Sequence, residues 1–534
     1  MRKYKIFEKE ISGFFTIPSG IVTTEISVLE KIAREIPEIG ILTTKSIGLE
    51  SKEGNKEPII AKYAPFSFIN AVGLTNPGAR SFAEGLSSLE IPKDKFLLIS
   101  IFGEAEEEFK KVAKALYDWA DGFELNISCP HSQKYGQIIG QNEELVGRIT
   151  KGIASMGKPV FLKLSPNLDI KKVVKTAVRS GLSGITAINT RGPELFLHDN
   201  YPVLSNKVGG ISGKAILELG LKVVREIRSM TDLPIIACGG ISTAKDIMNY
   251  KNAGANFFGV GSALTGMNTE EIKEYFHNLS LDLEKGTNKA ERSLKMKLNM
   301  EYKKYGVAEN KQLAEDLFLL RLNGGMKVEP GQFIFTWLPK KGEKPFSVFD
   351  DEPLTLLIQK KGYFTNKLSK LKKGDSLYIR GPYGNSPKIN EKTLLVGGGT
   401  GIAALYLFAK RNKNSVALLG AKDKNHLPDF KKFKTLAREV YLATESGEMG
   451  YKGLVTDILE DVIRYTKPEC AINCGPEPMV KTAIQKESKY INQEKVYSSV
   501  DFLTKCGIGL CGSCATSRGY RSCVDGTFLK YNQI

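Results

Sequence analysis

The stretch FLLISIFGEAEEEFKKVAKALYDWADGFELNIS (96–128) decides the fold of the first half of the chain. Two apolar, β-rich runs, FLLISIF (96–102) and GFELNIS (122–128), flank the amphipathic pattern EEEFKKVAKALYDWA (106–120). This pattern indicates a strand, a helix and a second strand. Because a helical crossover joins parallel neighbours, the stretch predicts one β–α–β unit of a parallel sheet.

Similar apolar runs recur on both sides of this unit. They are SGIVT (19–23), GILTT (40–44), PVFLKLS (159–165), GITAINT (184–190), PIIACGG (234–240) and NFFGVGS (256–262). Eight strands that alternate with helices predict an α/β fold, a (β/α)8 TIM barrel over residues 1–285. The runs finish on polar or glycine residues, and the carboxyl ends of such strands converge on one mouth where active sites are built.

The second half of the chain has a different organisation. A polar, charged and non-periodic stretch predicts a linker at 286–297. Short β-rich runs punctuated by Gly, Pro and Asp then predict an antiparallel β-barrel at 298–388. The run TLLVGGGTGIAALYLFAKR (393–411) has the strand, glycine turn and helix of a phosphate-binding α/β domain, which we expect at 389–496.

A run rich in cysteine and glycine, KCGIGLCGSCATSRGYRSC (505–523), lies near the end of the sequence. Its cysteines are Cys506, Cys511, Cys514 and Cys523, with the C-x4-C-x2-C…C spacing of plant-type 2Fe–2S sites. Zinc sites more often use two C-x2-C pairs, and redox-inert thiols are the third interpretation. The spacing favours a 2Fe–2S domain at 497–534, where the intervening glycines let backbone N–H groups approach the cluster.

Composition and charge exclude several classes of protein. No apolar run is long enough to cross a bilayer and the start lacks a secretory signal, so we expect a cytoplasmic protein without a membrane partner. The eight cysteines fit a reducing compartment. The formal net charge is +17, but the lysines are spread along the chain without a nucleic-acid-binding motif. We therefore expect no nucleic-acid partner.

Six motifs in the first half of the chain belong together. They are TKS (44–46), NAVGLTNPG (70–78), NISCPHS (126–132), KLSPN (163–167), INT (188–190) and CGGI (238–241). This set resembles that of class 1 dihydroorotate dehydrogenases, over essentially all of residues 1–285. The resemblance implies an FMN across the barrel mouth and oxidation of dihydroorotate to orotate in pyrimidine biosynthesis. It implies that Cys129 is the base that removes the C5 proton, and that Lys163 faces the flavin and stabilises charge on the reduced ring.

The same resemblance implies the ligand contacts. Dihydroorotate would be bound by Lys45, Asn70, Gly73, Leu74, Asn126, Asn189 and Thr190. FMN would contact Ser19, Lys45, Ser46, Ser100, Asn126, Lys163 and Ile188, and its phosphate would be held by Gly213, Gly239, Gly240, Gly261 and Ser262. The chain departs from the family at His131 and Ser100, where Asn is usual.

In the second half, the predicted β-barrel, the glycine turn, NCGPEPM (473–479) and the cysteine run follow one another. This order resembles the ferredoxin reductase-like electron-transfer subunit of type B dihydroorotate dehydrogenase, and implies FAD on the β-barrel and NAD on the glycine turn. FAD would contact Lys344, Pro345, Phe346, Ser347, Leu357, Ile358, Gln359, Phe364 and Thr365. NAD would contact Gly397, Gly399, Gly401, Cys474 and Gly475. Lys344 replaces the usual Arg and Phe364 a Gly, and the residues after the next strand leave NAD against NADP open.

Together the two halves predict a fused enzyme in which electrons pass from dihydroorotate through FMN, the 2Fe–2S cluster and FAD to NAD+. By the same resemblance we expect a homodimer of fused chains. One alternative is a dihydropyrimidine dehydrogenase-like enzyme that reduces uracil-type rings with NAD(P)H; Lys45 favours a substrate with a carboxylate instead. Another is a dihydroorotate dehydrogenase with a non-NAD acceptor. A non-catalytic electron carrier or basic binding protein is disfavoured by the pair of Cys129 and Lys163.

Overall fold

The computed structural model describes residues 4–127, 137–294, 298–428 and 430–534. The chain divides into two compact units. The first contains Met1–Leu298 together with Ile508–Gly519. The second contains Asn299–Gly507 together with Tyr520–Ile534. A short part of the cysteine run thus belongs to the same unit as the N-terminal half of the chain.

The first unit is built on the predicted closed parallel barrel. Its strands are β1 (Phe15–Thr16), β2 (Ile39–Thr43), β3 (Phe96–Ile101), β4 (Gly122–Asn126), β5 (Val160–Leu164), β6 (Gly184–Ala187), β7 (Ile235–Cys238) and β8 (Phe257–Gly259). Each strand pairs with the next in parallel, and β8 pairs with β1. The fold class expected from the sequence is confirmed.

The first strand lies earlier than the sequence predicted, so the expected strand at 19–23 is wrong. Phe15 is fully buried in β1. Val22 has φ +56°, a left-handed conformation that a β-branched residue rarely adopts and that no strand contains. Its N–H donates instead to the carbonyl of Leu510, at 2.7 Å. The apolar run at 19–23 follows the end of β1 and does not form a strand itself.

Helices of the first unit surround the barrel. They are α1 (Ile26–Glu35), α2 (Ala79–Leu86), α3 (Glu106–Ala115), α4 (Gln137–Gln141), α5 (Glu143–Ala154), α6 (Ile170–Arg179), α7 (Leu217–Arg228), α8 (Ala244–Asn252), α9 (Thr269–Lys285) and α10 (Lys289–Arg292). In α6, Ile170, Val173, Val174 and Ala177 form one buried stripe, as a 3.6-residue period requires. In the described part of the chain, no helix has the length and apolar character of a membrane span.

Residues 286–294 of the expected linker fold back on α9. The helix ends at Gly286, whose φ of +66° suits a residue without a side chain. The backbone N–H groups of Lys289 and Ala290 then donate to the Asp282 carboxylate, at 2.8 Å each. Residues 295–297 lie outside the described residues.

Additional strands lie outside the barrel cylinder. A four-stranded antiparallel sheet contains Ile60–Ala64, Ser67–Asn70, Arg191–Leu195 and Val208–Gly213, and a two-stranded ribbon contains Leu197–His198 and Tyr201–Pro202. An N-terminal hairpin, Tyr4–Ile6 with Lys9–Ile11, buries Ile6 and Ile11 against core side chains of the barrel. The sequence did not predict these strands, because short strands carry little periodicity.

The second unit begins with antiparallel strands, as expected, but they form a seven-stranded sheet and not the closed β-barrel that the sequence predicted. Its strands are Lys303–Ala314, Leu317–Leu322, Phe333–Leu338, Gly342–Ser347, Asp350–Asp351, Leu354–Gln359 and Ser376–Tyr383, and helix α11 (Tyr363–Leu368) follows the sixth strand. Alternate side chains of these strands, such as Phe318, Leu320 and Leu322, enter one apolar core.

A second seven-stranded sheet follows, with the expected α/β pattern. In spatial order its strands are Tyr451–Lys452, Glu439–Thr444, Ser415–Ala421, Thr393–Gly398, Cys470–Cys474, Val496–Ser499 and Leu529–Lys530. All pairs are parallel except the last. The helices are α12 (Ile402–Arg411), α13 (Phe430–Leu436), α14 (Val455–Thr466), α15 (Glu477–Glu487) and α16 (Ser522–Asp525). The strand Val496–Ser499 crosses the expected boundary between the α/β and cluster domains.

Candidate active site and cofactor sites

Four of the expected flavin contacts form one hydrogen-bonded chain at the carboxyl ends of β1 to β4. The hydroxyl oxygens of Ser19 and Ser46 are 3.0 Å apart, and those of Ser46 and Ser100 are 2.9 Å apart. The Asn126 amide donates to Ser46 Oγ, at 2.9 Å. These residues come from four separate strand–loop junctions, so the closed barrel is what brings them together.

An ion pair continues this chain into the barrel. Ser100 Oγ donates to Oε1 of Glu124, at 2.9 Å, and Lys163 Nζ lies 3.7 Å from the same oxygen. The side chains of Lys163 and Glu124 are 6% and 2% exposed. Glu124 was not predicted as a site residue. The sequence pattern could have indicated it, because Glu124 lies two residues before Asn126 in β4 and side chains two residues apart point to the same face of a strand.

The expected dihydroorotate contacts come from separate loops and edges. Lys45 follows β2 and is 7% exposed. The Asn70 amide donates to the carbonyl of Gly210, at 3.3 Å, across the four-stranded sheet. The N–H of Thr190 donates to the side-chain oxygen of Asn189, at 2.8 Å. This hydrogen bond uses the side-chain oxygen of Asn189, a residue that the sequence assigned to substrate binding.

The neighbouring Gly73 and Leu74 adopt left-handed backbone conformations, with φ +86° and +56°. Leucine rarely adopts such a φ, and strained backbone of this kind clusters at ligand sites. The resemblance assigned these two residues to the substrate pocket, and the observed strain supports a role for this turn.

The expected phosphate-binding glycines make a close backbone approach that side chains would block. Gly213 has φ +85°, and a Cβ there would lie 2.1 Å from the carbonyl oxygen of Phe66. Gly240 has φ +76°, and a Cβ would lie 2.9 Å from the carbonyl oxygen of Gly213. Gly239 has φ +120°, and Ile188 is the side chain nearest to its open face. Bare backbone of this kind fits a phosphate group.

The last two expected phosphate contacts lie after β8. Gly261 precedes a short 3-10 helix that starts at Ser262. A Cβ on Gly261 would lie 2.7 Å from the Ile21 side chain, so this turn packs against the segment that follows β1. Turns after the last barrel strands are the usual phosphate sites of this fold.

Cys129, the expected catalytic base, lies outside the described residues, as does His131. Cys238, at the end of β7, is described and is buried in the barrel core. Burial raises the pKa of its thiol to about 12, and the nearby Lys163 lowers it only in part. A thiol with this pKa remains protonated at neutral pH, which agrees with an inert role.

The loop Ile508–Gly519 lies against the segment that follows β1 in the first unit. Thr24 Oγ1 donates to the carbonyl of Cys511, at 3.0 Å, and Ser27 Oγ donates to the carbonyl of Thr516, at 2.9 Å. The N–H of Gly266 donates to the carbonyl of Ile508, at 2.9 Å. All three hydrogen bonds have a backbone carbonyl of the cysteine loop as their acceptor, and the sequence did not predict them.

The four cysteines expected to bind the cluster are buried thiols, each at most 6% exposed. Cys511 and Cys514 belong to the first unit, and Cys506 and Cys523 to the second. The glycines between them, Gly507, Gly509 and Gly512, have φ of +78°, +77° and +72°. Among the described residues, no three His, Cys, Asp or Glu side chains form a ready metal site, so the cluster stays a prediction.

A fully buried ion pair in the second unit lies beside the backbone of Cys506. Arg380 donates to both carboxylate oxygens of Glu343, at 2.8 Å each, and to the carbonyl of Cys506, at 3.1 Å. Tyr302 donates to Glu343 at 2.6 Å, and the Arg380 guanidinium lies 3.9 Å from the centre of the Phe335 ring. Because the guanidinium is planar and bidentate, it fixes this backbone in one orientation.

The expected dinucleotide contacts lie at the switch point of the α/β sheet. The strands Thr393–Gly398 and Cys470–Cys474 are adjacent and parallel, although they are far apart in sequence. A Cβ on Gly401 would lie 2.3 Å from the carbonyl oxygen of Cys474, and Gly475 packs against Gly398. Ligands of such sheets bind in the crevice at this point. The structure therefore joins the two segments that the sequence assigned to NAD.

The expected FAD contacts lie on two strands and one helix of the β-domain. Lys344, Pro345, Phe346 and Ser347 lie in Gly342–Ser347, and Leu357, Ile358 and Gln359 in Leu354–Gln359. The rings of Phe346 and Phe364 stack, with centroids 6.4 Å apart. The Gln359 amide donates to Asp316, at 2.6 Å, and Thr365 Oγ1 accepts the N–H groups of residues 361 and 362. Both polar groups thus have protein partners.

Comparisons with known proteins concern mainly the first half of the chain. A family model described as dihydroorotate dehydrogenase matches residues 1–280. The chain is similar to the dihydroorotate dehydrogenase B (NAD(+)) catalytic subunit of Methanocaldococcus jannaschii, with 40% identity over 270 residues, 49% of this chain and 87% of that protein. The subunit of the same name from Pyrococcus abyssi is 37% identical over 270 residues, 49% of this chain and 88% of that protein.

One solved structure, of an NADH-dependent reduced ferredoxin–NADP oxidoreductase, is similar at 29% identity and a TM-score of 0.39. The match covers 43% of this chain and 88% of that one. A TM-score of this size supports no inference about the fold.

Proposed function

The chain belongs to the dihydroorotate dehydrogenase family, and on this premise we propose that it oxidises dihydroorotate to orotate in pyrimidine biosynthesis. Electrons pass through FMN, a 2Fe–2S cluster and FAD to NAD+. The observation that carries the proposal is the buried chain from Ser19 through Ser46 and Ser100 to Glu124 and Lys163 at the barrel mouth. A buried ammonium paired with a carboxylate at a barrel mouth is typical of catalytic sites and disfavours a non-catalytic binding protein.

The residues at the mouth fit a flavin and an anionic substrate. FMN, when bound, supplies the two-electron acceptor. The bare backbone at Gly213 and Gly240 accommodates its phosphate, and Lys163 presents a positive charge to the ring. The Lys45 ammonium pairs with the substrate carboxylate, a group that uracil lacks. Cys129 removes the proton from the carbon next to the one that is oxidised.

The second unit provides the route to an outside acceptor. The glycine turn at Gly397–Gly401 and the loop at Cys474 bind NAD at the switch point of the α/β sheet. The strand that contains Phe346 and the helix that contains Phe364 bind FAD. Cys506, Cys511, Cys514 and Cys523 would hold the 2Fe–2S cluster, which would supply a one-electron carrier. We further propose that residues 298–388, 389–496 and 497–534 act as FAD, NAD and cluster domains.

Anaerobic reduction tests the proposal. Dihydroorotate added to purified holoenzyme should bleach the flavin and cluster absorbance, and NAD+ should restore it. Uracil with NADPH is the comparison, because uracil consumption in place of dihydroorotate oxidation would indicate the dihydropyrimidine dehydrogenase-like alternative. An unchanged spectrum with dihydroorotate and full cofactor loading would refute the function. Extraction should yield FMN and FAD in equal amounts.

Substitution of the base gives a sharper test. Cys129→Ala should lower the rate of flavin reduction by dihydroorotate at least hundredfold, within the range attributed to general bases. Cys470→Ala is the matched control, because Cys470 is a buried thiol in the α/β sheet and has no proposed role. Undiminished oxidation in Cys129→Ala would remove this residue from the mechanism.

We also propose that the fused chain forms a homodimer in the cytoplasm. Light scattering of the purified holoenzyme should give twice the chain mass of 58.9 kDa. A mass of one chain across the working concentration range would contradict the dimer, and it would leave the proposed reaction unaffected.

A further inference from the structure

Glu124 is a buried carboxylate at the barrel mouth that the proposed reaction does not use. Its side chain is 2% exposed. A carboxylate so deeply buried is unfavourable unless hydrogen bonds and an opposite charge compensate for its lost hydration. Both are present, because Ser100 Oγ donates to Oε1 at 2.9 Å and Lys163 Nζ lies 3.7 Å from the same oxygen.

The position of Glu124 in the chain of contacts is specific. It is the carboxylate of a path whose other described members, Ser19, Ser46, Ser100 and Asn126, contribute hydroxyl and amide groups. Glu124 and Lys163 lie on the adjacent strands β4 and β5, at register positions two residues apart, because Lys163 pairs with Asn126. Barrel strands hold side chains more rigidly than loops do, so the distance between the two charges is set by the sheet.

We propose that Glu124 is the positioning residue for Lys163: its carboxylate fixes the ammonium at the barrel mouth and would balance its charge when oxidised FMN is bound there. The inference rests on the proposed function, since it needs FMN at this mouth. Oxidised flavin is neutral, whereas reduced flavin carries negative charge that the ammonium stabilises. A counter-ion at 3.7 Å weakens that stabilisation and holds the flavin potential low enough for onward transfer of electrons.

The Ser100 hydroxyl supports this role. Ser100 stands where the family usually has an asparagine, and its hydroxyl joins Glu124 to Ser46. The hydroxyl therefore connects the charge pair to the groups expected around the flavin ring. The Ser46 hydroxyl in turn accepts from Asn126. A displacement of Glu124 would therefore disturb the hydrogen bonds of four groups, those of Ser100, Ser46, Asn126 and Ser19.

Reversible binding of sulfite to the flavin is the first experimental readout. The sulfite sulfur donates an electron pair to N5 of oxidised flavin, and the adduct carries the resulting negative charge on the ring. In Glu124→Gln the amide still accepts from Ser100, but the balancing charge is lost. At about pH 6.5 we expect sulfite to bind at least tenfold more tightly, and the FMN midpoint potential to rise. Glu124→Asp keeps the charge and should restore most of the wild-type affinity.

Asp282→Asn is the matched control, because Asp282 is an equally buried acid of the same unit whose carboxylate binds residues 287–290. It should leave sulfite binding unchanged. FAD is present in every variant and contributes equally to each. Unchanged or weaker sulfite binding in Glu124→Gln, or an equal change in Asp282→Asn, would overturn the inference.

The two proposals can fail separately. If Glu124→Gln alters sulfite binding while dihydroorotate leaves the wild-type flavin oxidised, the function is wrong and the role of Glu124 stands. If dihydroorotate reduces the flavin and sulfite binding is equal in wild type and variant, the role of Glu124 is wrong and the function stands. Both readouts use the same holoenzyme preparation, whose FMN content is measured first.

Discussion

Replacement of Glu487 by glutamine should stabilise the α/β domain, and more so as the pH rises. Glu487 is fully buried on α15, and burial raises the pKa of its carboxyl to about 7. The hydrogen bond from Asn473 lowers this pKa, but by less than burial raises it. Asn473 Nδ2 donates to Oε2 at 2.6 Å. In the described part of the structure, Oε1 of Glu487 and the side-chain oxygen of Asn473 have no hydrogen-bond donor. A proton on the carboxyl, or an amide in its place, supplies the missing donor.

The sign and size of this stability change follow from the linkage between proton binding and folding. The unfolded carboxyl ionises near its ordinary pKa of 4.5, whereas the folded one stays protonated until about pH 7. The folded state therefore binds the extra proton between these values, and stability falls as the pH rises through this window. The loss is about 2 kcal/mol at pH 6 and levels off at about 3 kcal/mol above pH 8. Glu487→Gln removes this loss at every pH.

Hydrogen exchange measures the effect within the full chain. Amides of the strands Cys470–Cys474 and Val496–Ser499 and of α15 should be more protected in Glu487→Gln than in wild type, after correction for intrinsic exchange. The excess should be about tenfold larger at pH 8.5 than at pH 6, which corresponds to about 1.4 kcal/mol. An excess that does not change with pH, or lower protection in the variant, would refute the reasoning.

The control for this experiment is Glu460→Gln. Glu460 lies on α14 of the same domain, and its hydrogen bond to Lys489 holds the pKa of its carboxyl below the ordinary value. It is ionised in both states across the measured range. The variant should therefore show no pH-dependent change in protection between pH 6 and 8.5.

Three further substitutions test the cofactor sites. Gly512→Ala would bring a Cβ to 1.7 Å from Thr24 Oγ1, so hydrogen exchange across Ile508–Gly519 should rise at least tenfold. Adding Thr24→Ala to this variant should restore part of the protection. Unchanged exchange in Gly512→Ala would contradict the packing. Gly401→Ala would place a Cβ 2.3 Å from the Cys474 carbonyl oxygen, so NADH titration should show at least tenfold weaker binding while dihydroorotate still bleaches the FMN. Equal NADH affinity would exclude this turn. Cys511→Ser should lower the iron content to below half with both flavins retained, and full iron would remove it as a ligand.

The barrel could be predicted because its signal is local and repeated. Runs such as 96–102 and 159–165 alternate with amphipathic helices, and seven of the eight strands overlap the predicted ranges. The first does not, since β1 is only two residues long. Short strands carry little periodicity, so their placement depends on partners far away in sequence.

The candidate site was predicted in part for the same reason. Ser46, Ser100, Asn126 and Lys163 lie at strand ends, which the sequence marks, and the structure joins three of them directly by hydrogen bonds. Glu124 was missed because a carboxylate inside a barrel is meaningful only once its partner is known. Arg380 and Glu343 were missed likewise, since their bidentate pairing joins strands that are 37 residues apart in sequence.

The sequence by itself determined the fold class, the order of the sites and the spacing of the four cysteines, because periodicity and motif spacing are properties of neighbouring residues. Only the tertiary structure decided that the loop Ile508–Gly519 belongs with the barrel and that Glu124 lies beside Lys163. Both depend on contacts between segments distant in the chain, such as Thr24 with Cys511, which are 487 residues apart. Such pairings are selected by the burial of whole elements and by the hydrogen bonds that this burial demands, and no local pattern encodes them.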